Sequence, residues 1–141
     1  MRTLVRMVYH GGIMRWLVAP ALMLVLAGCQ GPVTPNQDVL TAYPQIHLAS
    51  YSLQRKIALQ EPVVSRVGDG QLDIVVPVRN LLNHSLYLEY QYRFLNQQGV
   101  QVEENSGWNT LRMPAYSMQQ IHFTSFTSQA DNFDLDIRRL R

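Results

Sequence analysis

The chain has 141 residues, 47% of them hydrophobic, which is one domain's worth of core-forming sequence. Its single cysteine excludes an intrachain disulfide, so the fold has to rest on hydrophobic burial. The formal charge of +2 is set by the first fifteen residues: without Arg2, Arg6 and Arg15, nine basic side chains face ten acidic ones, about −1, which excludes basicity as an argument for nucleic acid binding.

Those three arginines precede an uncharged run of thirteen residues, Trp16–Gly28, that ends directly at Cys29. This is the layout of a secretory signal. A bilayer-spanning helix needs about 20 apolar residues, so a shorter run with Pro20 inside it suits a cleaved segment better than a permanent span. Leu26-Ala27-Gly28-Cys29 resembles the lipobox of bacterial lipoproteins, which predicts a signal peptide over 1–28, cleavage between Gly28 and Cys29, and a diacylglycerol on the Cys29 thiol. Met1, Met7 and Met14 are alternative starts that leave the mature protein unchanged. Two or three acyl chains, at about 0.8 kcal/mol per buried CH₂, hold a protein durably on a membrane. By resemblance to the Gram-negative sorting rule, Gln30 is not the aspartate that retains lipoproteins in the inner membrane, so the expected location is the outer membrane, facing the periplasm.

After the anchor, Gln30–Pro44 holds three of the seven prolines and has no sustained period. Residues 29–45 therefore read as the lipidated cysteine and a flexible tether. Fifteen extended residues reach about 45 Å, and a flexible coil of that length averages about 20 Å.

Residues 46–141 are expected to form the domain, and its dominant signal is period two. In Leu72-Asp-Ile-Val-Val-Pro-Val-Arg79, Leu72, Ile74, Val76 and Val78 share a face. In Leu86-Tyr-Leu-Glu-Tyr-Gln-Tyr-Arg-Phe94, Leu86, Leu88, Tyr90, Tyr92 and Phe94 point inward. Pro77 cannot donate to a ladder, so the first of these strands is expected to have an edge or a bulge there. Weaker strands are expected over 55–67 with a break at Pro62, and over 100–103, 108–113, 119–126 and 133–139. Turn signals lie between them at Gly68-Asp-Gly70, Leu82-Asn-His-Ser85, Asn96-Gln-Gln-Gly99 and Asn105-Ser-Gly107. A short helix is allowed before the strands or near 128–132. Six or seven short strands predict an all-β fold, a small antiparallel β-sandwich of immunoglobulin-like type, with a small barrel as the alternative.

The run Val76-Pro-Val-Arg-Asn80, then 86–94, then Gln98-Gly99-Val-Gln-Val102, Gly107-Trp108, Leu111, Pro114 and Phe133-Asp-Leu-Asp-Ile-Arg138 resembles the YcfL family of Gram-negative lipoproteins. Where that family often has an acidic residue and a tryptophan before the turn glycine, this chain has Phe94-Leu-Asn-Gln-Gln-Gly99. The resemblance implies an immunoglobulin-like domain held in the cell envelope, in a family without an established function. Its gene neighbourhood, beside an activator of a peptidoglycan synthase, implies a link to wall assembly.

The candidate site residues point away from catalysis. His47, His84 and His122 stand on separate segments without a Gly-x-Ser-x-Gly elbow, and on a strand Glu103 and Glu104 would face opposite sides. Met113, Met118 and His122 offer soft ligands to copper(I), although methionine more often fills core gaps and His122 alternates outward from Ile121 and Phe123. No metal or cofactor beyond the Cys29 lipid is therefore expected. Trp108 opens a strand and is expected in the core, with a partner-facing anchor as the alternative. Tyr87 and Tyr116 are the surface candidates for a partner, and Arg138, Arg139 and Arg141 form a solvated basic end. The function these features predict is a non-enzymatic, membrane-tethered protein-binding or accessory module. The alternatives are a periplasmic small-ligand or metal carrier and the anchoring lipoprotein of a secretion apparatus.

Overall fold

The computed structural model describes residues 35–141; the predicted signal peptide, Gly28, Cys29 and the first residues of the tether lie outside them. In chain order the elements are α1 (Gln37–Ala42), β1 (Ile46–Leu48), α2 (Tyr51–Gln54), β2 (Ile57–Leu59), β3 (Val63–Val67), β4 (Gln71–Asn80), β5 (Leu86–Leu95), β6 (Asn109–Met113), β7 (Met118–Thr124) and β8 (Asn132–Arg139). One sheet runs β1-β8-β5-β6, and in the other β4 pairs with β2, β3 and β7. The result is a small β-sandwich, as the alternation predicts, with eight strands. It is antiparallel except for β1, which pairs parallel to β8 in the register Ile46–Leu135 to Leu48–Ile137.

The two long strands supply the centre of each sheet. Leu72, Ile74, Val76 and Val78 of β4 face Leu86, Leu88 and Phe94 of β5 across an apolar core, joined by Ile121 and Phe123 of β7 and Phe133, Leu135 and Ile137 of β8. Tyr92 and Phe123 stack with ring centroids 4.3 Å apart, which ties the two sheets together through aromatic contact. Of the five inward positions of β5, Leu86, Leu88 and Phe94 are buried and Tyr90 and Tyr92 pack half-buried against the core, so the period-two pattern and the buried face coincide there.

Pro77 sits where its missing N–H costs nothing. Its carbonyl accepts from Gln60 N–H at 2.9 Å, so this residue's backbone faces the edge shared by β2 and β3. β3 pairs with residues 71–75 of β4 and β2 with residues 78–80, and the chain leaves the ladder between them at Gln60-Glu61-Pro62. The predicted break at Pro62 and the predicted irregularity at Pro77 are one feature seen from both strands.

Two expectations are corrected. Residues 36–45 are not free tether: α1 lies there, and Val39, Leu40 and Tyr43 pack against the core. The cause is Asn36, whose buried Nδ2 donates to the carbonyls of Gln54 at 2.7 Å and Ile57 at 2.9 Å while its Oδ1 accepts from Leu59 N–H at 2.7 Å. Of the two places open to a short helix, α1 takes the one before the strands. The expected strand over 100–103 is reduced to a single bridge, Leu95 to Gln101.

Candidate functional site

The segment after β5 is turned back by Asn96, whose Oδ1 accepts from the N–H groups of Gln98 and Val100. It then runs beside β5 without a regular ladder: Val102 N–H donates to Phe94 and Ser106 N–H to Tyr92, while Ser106 Oγ accepts from Tyr92 N–H at 3.0 Å. Between those anchors the chain bows away from the sheet. This frees Glu103 to reach across to the turn that follows β7.

There one carboxylate oxygen of Glu103 accepts from Phe126 N–H at 2.9 Å, Thr127 N–H at 3.0 Å and the Thr127 hydroxyl at 3.3 Å. The turn is held from beneath by the buried Ser125, whose hydroxyl donates to Thr127 carbonyl at 2.7 Å and accepts from Leu72 N–H at 2.8 Å. Phe126 is thus fixed through its own backbone and both neighbours, yet its ring is 86% exposed. Such a ring at the surface gains nothing from the core, while the backbone that carries it is held in place.

Beside it lies an open cleft of about 520 Å³ lined by Tyr92, Glu103, Glu104, Asn105, Ser106 and Phe126. Two aromatic rings and two carboxylates meet there. The expectation that Glu103 and Glu104 face opposite sides fails because the segment is not a strand. One Glu103 oxygen is engaged by the backbone N–H groups of the turn after β7. Sequence reasoning passed over Phe126, although a signal was present: Ile121 and Phe123 set the inward parity, which puts Ser125 inside and Phe126 outside.

The residues singled out from sequence do not converge. Trp108 is not in the core; it is 42% exposed and stacks on the Arg138 guanidinium at 3.6 Å, while Arg138 donates to Glu89 at 2.8 Å. It lines a shallow groove of about 340 Å³ with His47, Asp136 and Arg141. Tyr87 is exposed on the same outer face, paired across from Arg112, about four residues or 13 Å along β5 from the level of Trp108. Tyr116 is exposed in the β6–β7 turn at φ +55°, a left-handed conformation unusual for a residue with a Cβ.

The soft-ligand set is also dispersed. Met113 is fully buried in the core, whereas Met118 and His122 lie on the outer face of β7, again about 13 Å apart along the strand. His122 Nε2 is 2.8 Å from Asp73, and Thr124 donates its hydroxyl to the same carboxylate oxygen. These bonds, the hydroxyl's first, hold the Asp73 carboxyl below its ordinary value of 3.8 against the opposing effect of burial. Because the hydroxyl bonds the carboxylate and not the imidazole, the cluster lacks the nucleophile–base contact of a hydrolytic triad. Among the described residues no three His, Cys, Asp or Glu side chains come together in a metal-binding group. Nothing in the arrangement points to catalysis.

The fold defines a small two-sheet β-domain of the β-sandwich class. A family model described as "Protein of unknown function (DUF1425)" matches residues 44–139, and the chain belongs to that family. Among solved structures it is similar to Campylobacter jejuni cj0090, at 18% identity and a TM-score of 0.56 over 68% of this chain and 98% of that one. It is also similar to a DUF1425 family member from a Shewanella species, at 17% identity and a TM-score of 0.53 over 60% of this chain and 79% of that one. At such identity the likeness concerns the fold alone. No curated protein matches the chain.

Proposed function

We propose that the protein is a non-enzymatic envelope lipoprotein, anchored through Cys29 on the periplasmic face of the outer membrane, whose domain binds another protein through the Phe126 cleft. The lipobox over 26–29 and the Gln30 that follows support the anchor. The observation that carries the binding role is the Phe126 ring, held open to solvent by Glu103 and Ser125 beside a preformed cleft. Interface hot spots favour large rings on rigid supports, because little conformational freedom is lost on contact. The YcfL resemblance adds an accessory role beside a peptidoglycan synthase as the more specific form of this reading.

The test is photo-crosslinking in cells from the full-length chain, with a benzophenone side chain placed in turn at 126, 87 and 116. A discrete protein adduct from position 126, lost on Glu103→Ala, is the expected result; a wall synthase or its activator in that adduct supports the specific form, and a secretion component replaces it. Absence of any adduct from 126 overturns the binding role. The anchor is checked separately, since a Cys29→Ser precursor should escape lipidation and lipoprotein processing, and normal maturation of that variant would refute it.

A further inference from the structure

β3 is exposed at every one of its five residues, with Val63, Val64 and Val67 among the large exposed apolar side chains. Only β4 pairs with it among the described strands, so its second edge is open. Natural sheets usually blunt such edges, because a row of unspent N–H and C=O groups is a template for another strand.

The register identifies which groups are unspent. Leu72 turns both backbone groups away from β3: its N–H donates to the Ser125 hydroxyl and its carbonyl accepts from Ser125 N–H. Its partner across the ladder is Arg66, which therefore has neither group bonded to β4. Both groups of one residue in an antiparallel strand point to the same side, so Val64 and Arg66 present theirs to the open edge, while Val63, Ser65 and Val67 spend theirs on β4.

An extended strand satisfies such a row with a regular ladder, and the sequence of β3 is complementary to itself. A two-fold antiparallel pair sets one residue opposite its own copy. Centred on Val64, the pair would set Arg66 against Pro62, which has no N–H to give. Centred on Arg66, it would oppose two guanidinium groups and set Val64 against Gly68, which has left the strand conformation at φ +52°. Centred on Ser65, Val64 exchanges both backbone bonds with Arg66 of the second copy, and Val63 packs against Val67. Arg66 is already neutralised by Asp131 at 2.9 Å, so the two arginines of this pair do not repel as bare charges.

From this we infer that β3 is a self-association edge: two copies of the chain pair β3 to β3, antiparallel, about Ser65. The contact is small and suits a reversible dimer.

In this register the two Ser65 residues form a non-hydrogen-bonded pair with Cα atoms about 4.5 Å apart, within reach of a disulfide. Val67 lies opposite Val63, about 13 Å along the strand from its own counterpart. The experiment is oxidative crosslinking of the full-length chain in cells, comparing Ser65→Cys, Val67→Cys and the parent. Ser65→Cys should give a dimer about tenfold above the other two, following the difference in reach. Adding Val64→Pro should remove that dimer, because proline there deletes an edge-facing N–H and leaves the β4 ladder intact. The inference is overturned if Ser65→Cys gives no dimer above the parent, if Val67→Cys crosslinks equally well, or if Val64→Pro leaves the dimer unchanged. An adduct with a different protein in place of the dimer also overturns it.

Discussion

Two buried asparagines, Asn36 and Asn80, flank the short strand β2 and tie the surrounding turns to it. Asn80 completes the inward parity of β4 after Val78, so a polar amide stands where the pattern calls for an apolar side chain. It is accommodated because Nδ2 donates to the carbonyls of His84, Met113 and Pro114 at 2.8–3.1 Å and Oδ1 accepts from Leu82 N–H at 2.9 Å. One side chain thereby joins the turn after β4 to the turn after β6, where Tyr116 N–H also donates to the Leu82 carbonyl. Replacing it with alanine strands buried acceptors, and each unsatisfied buried group costs about 1–3 kcal/mol. Asn80→Ala should therefore lose about 2–3 kcal/mol in urea unfolding, seen as a lower midpoint at unchanged slope. A shift under half a kcal/mol would mean that water replaces the amide at no cost. Asn36 plays the same part on the far side of β2, where it bonds Ile57, the ladder partner of Asn80, and neither role was visible in the sequence, since an asparagine reads as a turn residue until its distant partners are known.

Among the elements, those with many alternating residues were legible and the short ones were not. β4 and β5 emerged with the predicted inward faces, and β6, β7 and β8 began or ended within two residues of the alternation that announced them. β1 has three residues, too few for a period, and its place is set by a parallel ladder to the far end of the chain. The 100–103 segment has strand-like composition, but the turn at Asn96 and the pull of Glu103 toward Phe126 take it off the ladder. Trp108 misled because size argued for burial while the Arg138 guanidinium supplied an alternative face to stack on. The Glu103 clamp makes a prediction at this scale. Glu103→Ala should speed hydrogen exchange at the Phe126 and Thr127 amides and leave exchange in β4 and β5 unchanged. Glu103→Gln, which retains an acceptor oxygen, should recover part of the protection; equal protection in all three proteins would show that Ser125 alone fixes the turn.

For the whole domain, stability has to come from the core between the sheets, because the described residues contain no cysteine and their ion pairs all lie at the surface. Surface pairs contribute about 0–1 kcal/mol each, and salt screens them. Asp73 is the pair member with a resolved linkage to pH. Thr124 and His122 hold its carboxyl below 3.8 in the fold, whereas the unfolded chain offers it no such partners. A carboxyl depressed by folding contributes stability that is complete above its unfolded value and is lost as the pH falls through the folded one. The unfolding free energy should therefore decline below about pH 3.8 partly through this residue. In Asp73→Asn that part of the decline is absent, so parent and variant should differ by a constant amount near neutrality and converge in acid. A difference that stays constant through pH 3 would show that the Thr124 and His122 bonds do not favour the ionised carboxyl over the protonated one.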